Sequence, residues 1–184
     1  IWEKQKMKYY EMTIAGCKRQ LPLCEVSSTL DIAAFIMFND VEVTEKSAAE
    51  LLKICPEHDI VLTAEAKGIP LCYEMARQGC RKYIIARKSQ KLYMTDNLSV
   101  TCKSITTAKE QTLYLSGSDA EQLKGKRVLI VDDVISTGHS LYALEELVKQ
   151  VGGNIVGKAT VLAEGDAAKR DDIIFLGTLP VFPK

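Results

Sequence analysis

The chain has 184 residues, enough for one large domain with a substantial core. Lys plus Arg and Asp plus Glu number 24 each, so no excess positive field exists to hold a nucleic-acid backbone or an anionic membrane. The six cysteines form no C-x-x-C pair, only two histidines accompany them, and no apolar run approaches the ~20 residues of a membrane span, which excludes a zinc module and predicts a soluble protein of the reducing cytoplasm.

Residues 1 to 40 have no clear periodicity; Ile1 to Tyr10 is too polar for a signal peptide. The first predicted helix has Thr44 as N-cap and runs through Cys55, with Glu45 in its first turn and Ala48, Leu51, Leu52 and Cys55 facing inward. A β-rich run at Ile60 to Thr63 follows. The next helix has Pro70 at its first position, pairs Leu71 with Met75 and Cys72 with Ala76 at i, i+4, and stops at Gly79. Tyr83 to Ala86 reads as a strand.

From Arg87 to Lys126 the polar content rises. Ser99 to Cys102 and Thr112 to Leu115 read as two antiparallel strands around the polar stretch Lys103 to Gln111, an inserted hairpin of the length that is usually functional or disordered. Val128 to Val131 is a strand. Leu141, Leu144, Val148 and Val151 then share one helical stripe closed by Gly152-Gly153, and Ile155 to Leu162 and Ile173 to Leu176 complete the strand runs. Strands alternating with helices predict an α/β fold, a mainly parallel twisted sheet covered by helices on both faces, as one domain over residues 1–184.

The stretch Arg127 to Ser140 carries the chemistry. Its apolar strand delivers Asp132 and Asp133, and a small-residue turn then opens a helix near Gly138; in an open α/β sheet this junction is where ligands bind. Backbone N–H groups at the helix start, with the hydroxyls of Ser136, Thr137 and Ser140, suit a phosphate dianion, whereas two adjacent acids suit vicinal hydroxyls. A sugar phosphate satisfies both. An Asp pair alone would more simply cap a turn. Lys67 stands between an apolar strand and a helix start, where a cation and backbone amides can converge on an anion; Arg87 and Lys88 follow a strand at the same sheet edge. Either lysine alone would read as solvated surface charge.

The segment Val131-Asp132-Asp133-Val134-Ile135-Ser136-Thr137-Gly138 resembles the 5-phosphoribosyl 1-diphosphate motif of the type I phosphoribosyltransferases, in which the two acids hold the ribose and the following loop, here continuing through His139 and Ser140, holds the 5-phosphate. Glu65-Ala66-Lys67-Gly68, within Thr63 to Pro70, is similar to that family's diphosphate loop, and Arg87-Lys88, with Lys91 nearby, to the basic strand end that reaches the same group. The likeness runs from about Val41 to Ala163 and is strongest to the purine branch: adenine and xanthine phosphoribosyltransferases and the effector domain of the bacterial purine repressor. It implies transfer of a phosphoribosyl group to a purine base, magnesium arriving with the diphosphate rather than held by protein ligands alone, a homodimer, a hood over the base made by residues 1–40 and 164–184, and a lid at Lys103 to Gln111. Lys103, Ser104, Thr106, Thr107 and Lys109 are its diphosphate candidates, unless the segment is an ordinary surface loop. Phe35, Phe38, Phe175 and Phe182 are either stacking residues or core.

Several positions depart from relatives. Ser136 replaces an acid found in hypoxanthine-guanine enzymes. Ser104-Ile105-Thr106 lacks the lid glutamate of adenine enzymes, and their N-terminal Phe-Arg-Asp is missing. Glu164 stands where xanthine enzymes carry lysine, and a carboxylate there accepts from an exocyclic amine, which favours adenine unless Glu164 is a solvated loop residue. A regulatory domain that senses the sugar diphosphate without turnover is the alternative from another functional class. Neither G-x-G-x-x-G nor G-x-x-x-x-G-K-[ST] occurs, which argues against a dehydrogenase or nucleoside triphosphatase.

Overall fold

The computed structural model describes residues 8–103 and 110–184. Its centre is a five-stranded sheet in the order β10-β9-β8-β4-β5, built from β4 (Ile60–Ala64), β5 (Tyr83–Ala86), β8 (Arg127–Ile135), β9 (Asn154–Glu164) and β10 (Ile174–Leu179). Every pairing in it is parallel, as the strand–helix alternation requires. The side-chain period of two splits the strands between two cores. Val61, Leu129 and Val131 pack with α1 (Val41–Ile54) and α2 (Ile69–Gln78), while Ile60, Leu62, Val128 and Ile130 pack with α4 (His139–Gln150). Both faces are therefore covered.

Three boundaries differ from expectation. Asp40, not Thr44, caps α1: its carboxylate accepts from Val43 N at 3.2 Å, and Thr44 is a helical residue whose hydroxyl donates to Asp40 O. Val41 is exposed, so the apolar stripe begins at Val43, two residues into the helix. A short helix, α3 (Gly117–Leu123), lies inside the polar stretch; Ser116 caps it by accepting from Asp119 N, and Leu123 is fully buried. The third concerns β8, described with the site.

The hairpin is β6 (Leu98–Lys103) and β7 (Glu110–Leu115), and Leu113 and Leu115 join the α4-side core. Residues 1 to 40, read as irregular, contain an antiparallel sheet in which β1 (Tyr9–Ile14), β2 (Cys17–Ser27) and β3 (Leu30–Ala33) are followed in order by β11 (Val181–Pro183). Both ends of the described chain thus build one hood, and its buried side, with Ile14, Leu21 and Phe35, continues into the α1-side core. Cys17, Cys24, Cys55, Cys72 and Cys80 are free thiols. Among the described residues no helix is long and apolar enough to cross a membrane.

Candidate active site

Strand β8 does not end before its acids. Its pairing with β9 continues through Asp132↔Thr160, Val134↔Leu162 and Ile135↔Ala163, because β9 is itself long enough to reach Glu164. Asp132 and Asp133 therefore stand within a strand, on backbone fixed by its neighbour. Each acid is also fixed locally: Asp132 Oδ1 accepts from Asp133 N, and Asp133 Oδ1 from Val134 N, both at 2.9 Å. Asp132 is half-buried and opens on a small recess of about 70 Å³ shared with Val134 to Leu141. Burial, and then the adjacent Asp133, push its carboxyl well above the usual range. Asp133 is only 2% exposed and does not line that recess. Its Oδ2 accepts no hydrogen bond among the described residues and lies 3.7 Å from Lys67 Nζ.

The turn after β8 exposes Ser136 and Thr137, then enters the left-handed region at Gly138, with φ of +79°, to start α4. Among the described residues no side chain caps α4, so its first amides and the positive end of its dipole face the recess. His139 Nδ1 is 2.8 Å from Thr137 Oγ1, and Ser140 Oγ donates to Gln111 Oε1 of β7 at 3.3 Å, which ties the turn to the hairpin. An uncapped helix start thus stands beside a half-buried acid, an arrangement able to take an anion and a hydroxyl donor side by side.

The loop from Glu65 to Gly68 meets it from β4. A Cβ on Gly68 would lie 2.6 Å from Thr63 Oγ1 and 2.9 Å from Asp132 Oδ1, so only a residue without one allows this approach. The Glu65–Ala66 peptide is cis; Ala66 and Lys67 are exposed. Glu65 points the other way, to the end of β5: it accepts from Lys88 N at 2.9 Å and pairs with Arg87 Nη2 at 3.2 Å. The Lys88 amide first, and Arg87 with it, hold its carboxyl below the ordinary range. Arg87 also donates to Tyr93 Oη at 2.7 Å, Lys88 is exposed, and Lys91 is turned to Ser89 Oγ at 2.8 Å. The fold thus joins Lys67 and Gly68 to the acids and Arg87 and Lys88 to Glu65, whereas Lys91 is engaged locally. The expected lid residues Ser104, Thr106, Thr107 and Lys109 lie outside the described residues, and the Lys103 side chain is likewise not described.

A larger cleft of about 610 Å³ opens between the hood and the sheet end. The hood contributes Val26, Leu30, Ile32 and Val181; the opposite wall is Ser136, Thr137, Glu164 and the single 3-10 turn Gly165–Lys169 with Arg170 after it. None of the four phenylalanines lines it. Phe35 and Phe175 pack in the two cores, Phe38 faces a groove with Tyr73, and the alternation along β11 puts Val181 in the cleft while Phe182 packs edge-on against Tyr10 at 5.1 Å. The stacking expectation is therefore replaced by an aliphatic wall. Glu164 is half-buried, and its burial raises its pKa against the opposing pull of Lys67. Sequence reading missed Arg170, which sits in the charged run Lys169 to Asp172 and looks like solvated surface.

Comparison with known proteins agrees with this geometry. A hypoxanthine/guanine phosphoribosyltransferase of Methanococcus voltae is 35% identical over 112 residues, 61% of this chain and 56% of the relative. A xanthine phosphoribosyltransferase of Exiguobacterium is 29% identical over 119 residues, 65% of this chain and 61% of the relative. The chain thus spans little more than half the length of such relatives. The crystal structure of adenine phosphoribosyltransferase from Thermoanaerobacter pseudethanolicus superposes with a TM-score of 0.64 at 22% identity, covering 93% of this chain and 95% of that one, and so shares its fold. The phosphoribosyl transferase domain model matches residues 38–181, a span that holds both acids, the Gly68 approach and the Gly138 turn, and the chain belongs to that family.

Proposed function

We propose that this protein transfers the phosphoribosyl group of 5-phosphoribosyl 1-diphosphate to a purine base, giving a nucleoside monophosphate and diphosphate, with adenine as the preferred base. One observation carries the reading: Asp132, one oxygen of which accepts from the Asp133 amide, opens on a recess that ends in an uncapped helix start. Acid and anion seat together fit the ribose hydroxyls and 5-phosphate of one ligand. Lys67 and the Gly68 approach would meet the diphosphate from β4, with Lys88 and Arg87 beside it from β5.

In the reaction the bond between the anomeric carbon and the diphosphate oxygen breaks, and a purine ring nitrogen bonds to that carbon while its proton is lost. The developing ribose cation lies near Asp132 and Asp133, whose negative charge favours it. Magnesium, when bound with the diphosphate, offsets charge on the leaving group. Among the described residues no group of three or more His, Cys, Asp or Glu is placed to hold a metal ion.

The base reading rests on the cleft. Its aliphatic walls suit a flat ring, and Glu164 at its polar edge accepts from an exocyclic amine, as adenine offers, and opposes the carbonyl edge of xanthine. The names of the relatives differ in base, so the choice rests on this residue. A homodimer working in the cytoplasm belongs to the same proposal by family likeness. The test is release of diphosphate from labelled 5-phosphoribosyl 1-diphosphate with magnesium and, in turn, adenine, hypoxanthine, guanine and xanthine. Release with adenine in excess of the others supports the proposal. Binding without release for every base would instead make the chain a sensor.

A further inference from the structure

We propose that Arg170, from outside the turn, is a direct ligand of the 5-phosphate, held in readiness by Asp172. The inference rests on the phosphoribosyl reading above but names a residue that lies beyond the acid pair and its turn. A Cβ added to Gly138 would stand 2.6 Å from Arg170 Nη1 and 3.9 Å from its Cζ, so the guanidinium edge lies directly against the backbone of the turn. Arg170 also lines the same cleft as Ser136 and Thr137.

The orientation of the fork is what makes it a ligand rather than a brace. Its Nε and Nη2 are both taken by Asp172, at 2.8 Å and 2.7 Å, a bidentate pair that fixes the plane of the group. Asp172 accepts in addition from Lys158 Nζ at 2.7 Å, and Lys158 donates to Glu145 of α4 at 2.7 Å with both side chains largely covered. Arg170 is thereby anchored through β9 to the very helix whose N-terminus forms the seat. The remaining nitrogen, Nη1, has no acceptor among the described residues, and it is the one aimed at Gly138.

Charge supplies the reason. A phosphate dianion in this turn would sit near Asp132 and Asp133, which repel it, and helix-start amides contribute only about half a unit of positive charge. Lys67 faces Asp133 and Arg87 faces Glu65. Arg170 is the guanidinium placed at the turn itself, and since its fork is already oriented, little further ordering is needed when a phosphate arrives.

The test is independent of the base. Wild type and R170M are titrated with ribose 5-phosphate and, separately, with inorganic diphosphate plus magnesium, which belongs at the Glu65 to Gly68 loop. Arg170→Met should weaken ribose 5-phosphate by about 10- to 100-fold, the loss expected of one hydrogen bond to a charged group, and leave diphosphate unchanged. Arg170→Lys, which keeps the charge without the fork, should recover part of the loss and covers the case in which R170M fails to fold. Unchanged ribose 5-phosphate binding in R170M, or equal loss of both ligands, would overturn the assignment. Wild type binding neither ligand would overturn the phosphoribosyl reading along with it.

Discussion

Substituting Gly68 with alanine isolates the close approach between the Glu65 to Gly68 loop and Asp132. Gly68 has φ of −77° and ψ of −8°, a right-handed conformation open to any residue, so alanine brings no backbone strain. What it brings is a Cβ placed 2.6 Å from Thr63 Oγ1 and 2.9 Å from Asp132 Oδ1. Ordinary van der Waals contact begins near 3.4 Å, so the Asp132 oxygen must withdraw by about 0.5 Å and the Thr63 hydroxyl by about 0.8 Å. Thr63 is fully buried and cannot swing clear, and Asp132 is tethered to Asp133 N, so the loop and the acid move apart. Overpacking of this kind costs about 1–3 kcal/mol, partly offset by the roughly 0.4–1 kcal/mol that Gly→Ala gains through the unfolded chain. The net loss of stability is therefore modest. Activity is more exposed, because an ångström of misplacement costs about a hundredfold. The expected result is a ten- to hundredfold fall in kcat/KM for 5-phosphoribosyl 1-diphosphate with a melting temperature only a few degrees lower. Gly157→Ala is the control, since its Cβ would meet Leu129 and Pro56 at 3.1 Å, away from the acids. If Gly68→Ala kept full activity, or Gly157→Ala lost as much, the close approach of loop and acid would not be what positions the reaction.

Asp132→Asn should divide function from stability. The folded-state pKa of Asp132 is raised, so above it the ionised carboxyl destabilises the fold; at pH 7.5 the amide should melt at the same or a higher temperature while kcat/KM falls at least tenfold, and thermal melts beside the diphosphate assay would reveal a simple folding defect instead. For Glu164, burial raises the pKa above the usual ~4.3, so KM for adenine should climb as pH falls through that higher value, and Glu164→Gln should abolish the climb; a pH-independent KM in wild type would remove Glu164 from base recognition. Glu65→Gln loses the ion pair with Arg87 and weakens the tie to Lys88 N, so isothermal titration should find diphosphate bound several-fold more weakly while KM for the base stays level; an equal change in both would mean Glu65 supports the whole fold rather than the β5 end.

The sheet was readable because its strands are short apolar runs bounded by helix stops, and Gly79 and Gly152-Gly153 end α2 and α4 where expected. The phosphate turn was readable for a different reason: acids, small hydroxyl residues and a glycine in that order leave few chemical uses. The hood was not. Its β1–β2 turn is Ala15-Gly16, both at positive φ, a left-handed pair without the Asn-Gly or Asp-Gly signature that announces a hairpin, and β2 keeps only Cys17 and Leu21 buried along eleven residues. The cap of α1 was misplaced because Val41 at its start faces solvent, and α3 was lost because seven residues give too few turns for a stripe to show. The expected stacking phenylalanines failed on parity, since one residue's shift along β11 exchanges Phe182 for Val181 in the cleft.

Glycine shows most clearly what a sequence withholds. Gly138 and Gly152 both adopt positive φ, near +79° and +75°, and both stand at helix ends, so pattern alone gives them the same role. Their surroundings separate them. A Cβ on Gly152 would meet nothing within 4 Å, so only its backbone conformation is asked for, and asparagine could supply that. A Cβ on Gly138 would collide with Arg170 Nη1, and one on Gly68, which needs no special conformation at all, would collide with Asp132. At these two positions the missing side chain is room kept for a charged group from a distant part of the chain: Arg170 beyond β9, and Asp132 beyond the hairpin. The site is therefore assembled by close approaches across the ends of β4, β8 and β9, which local sequence does not encode, around one turn that it does.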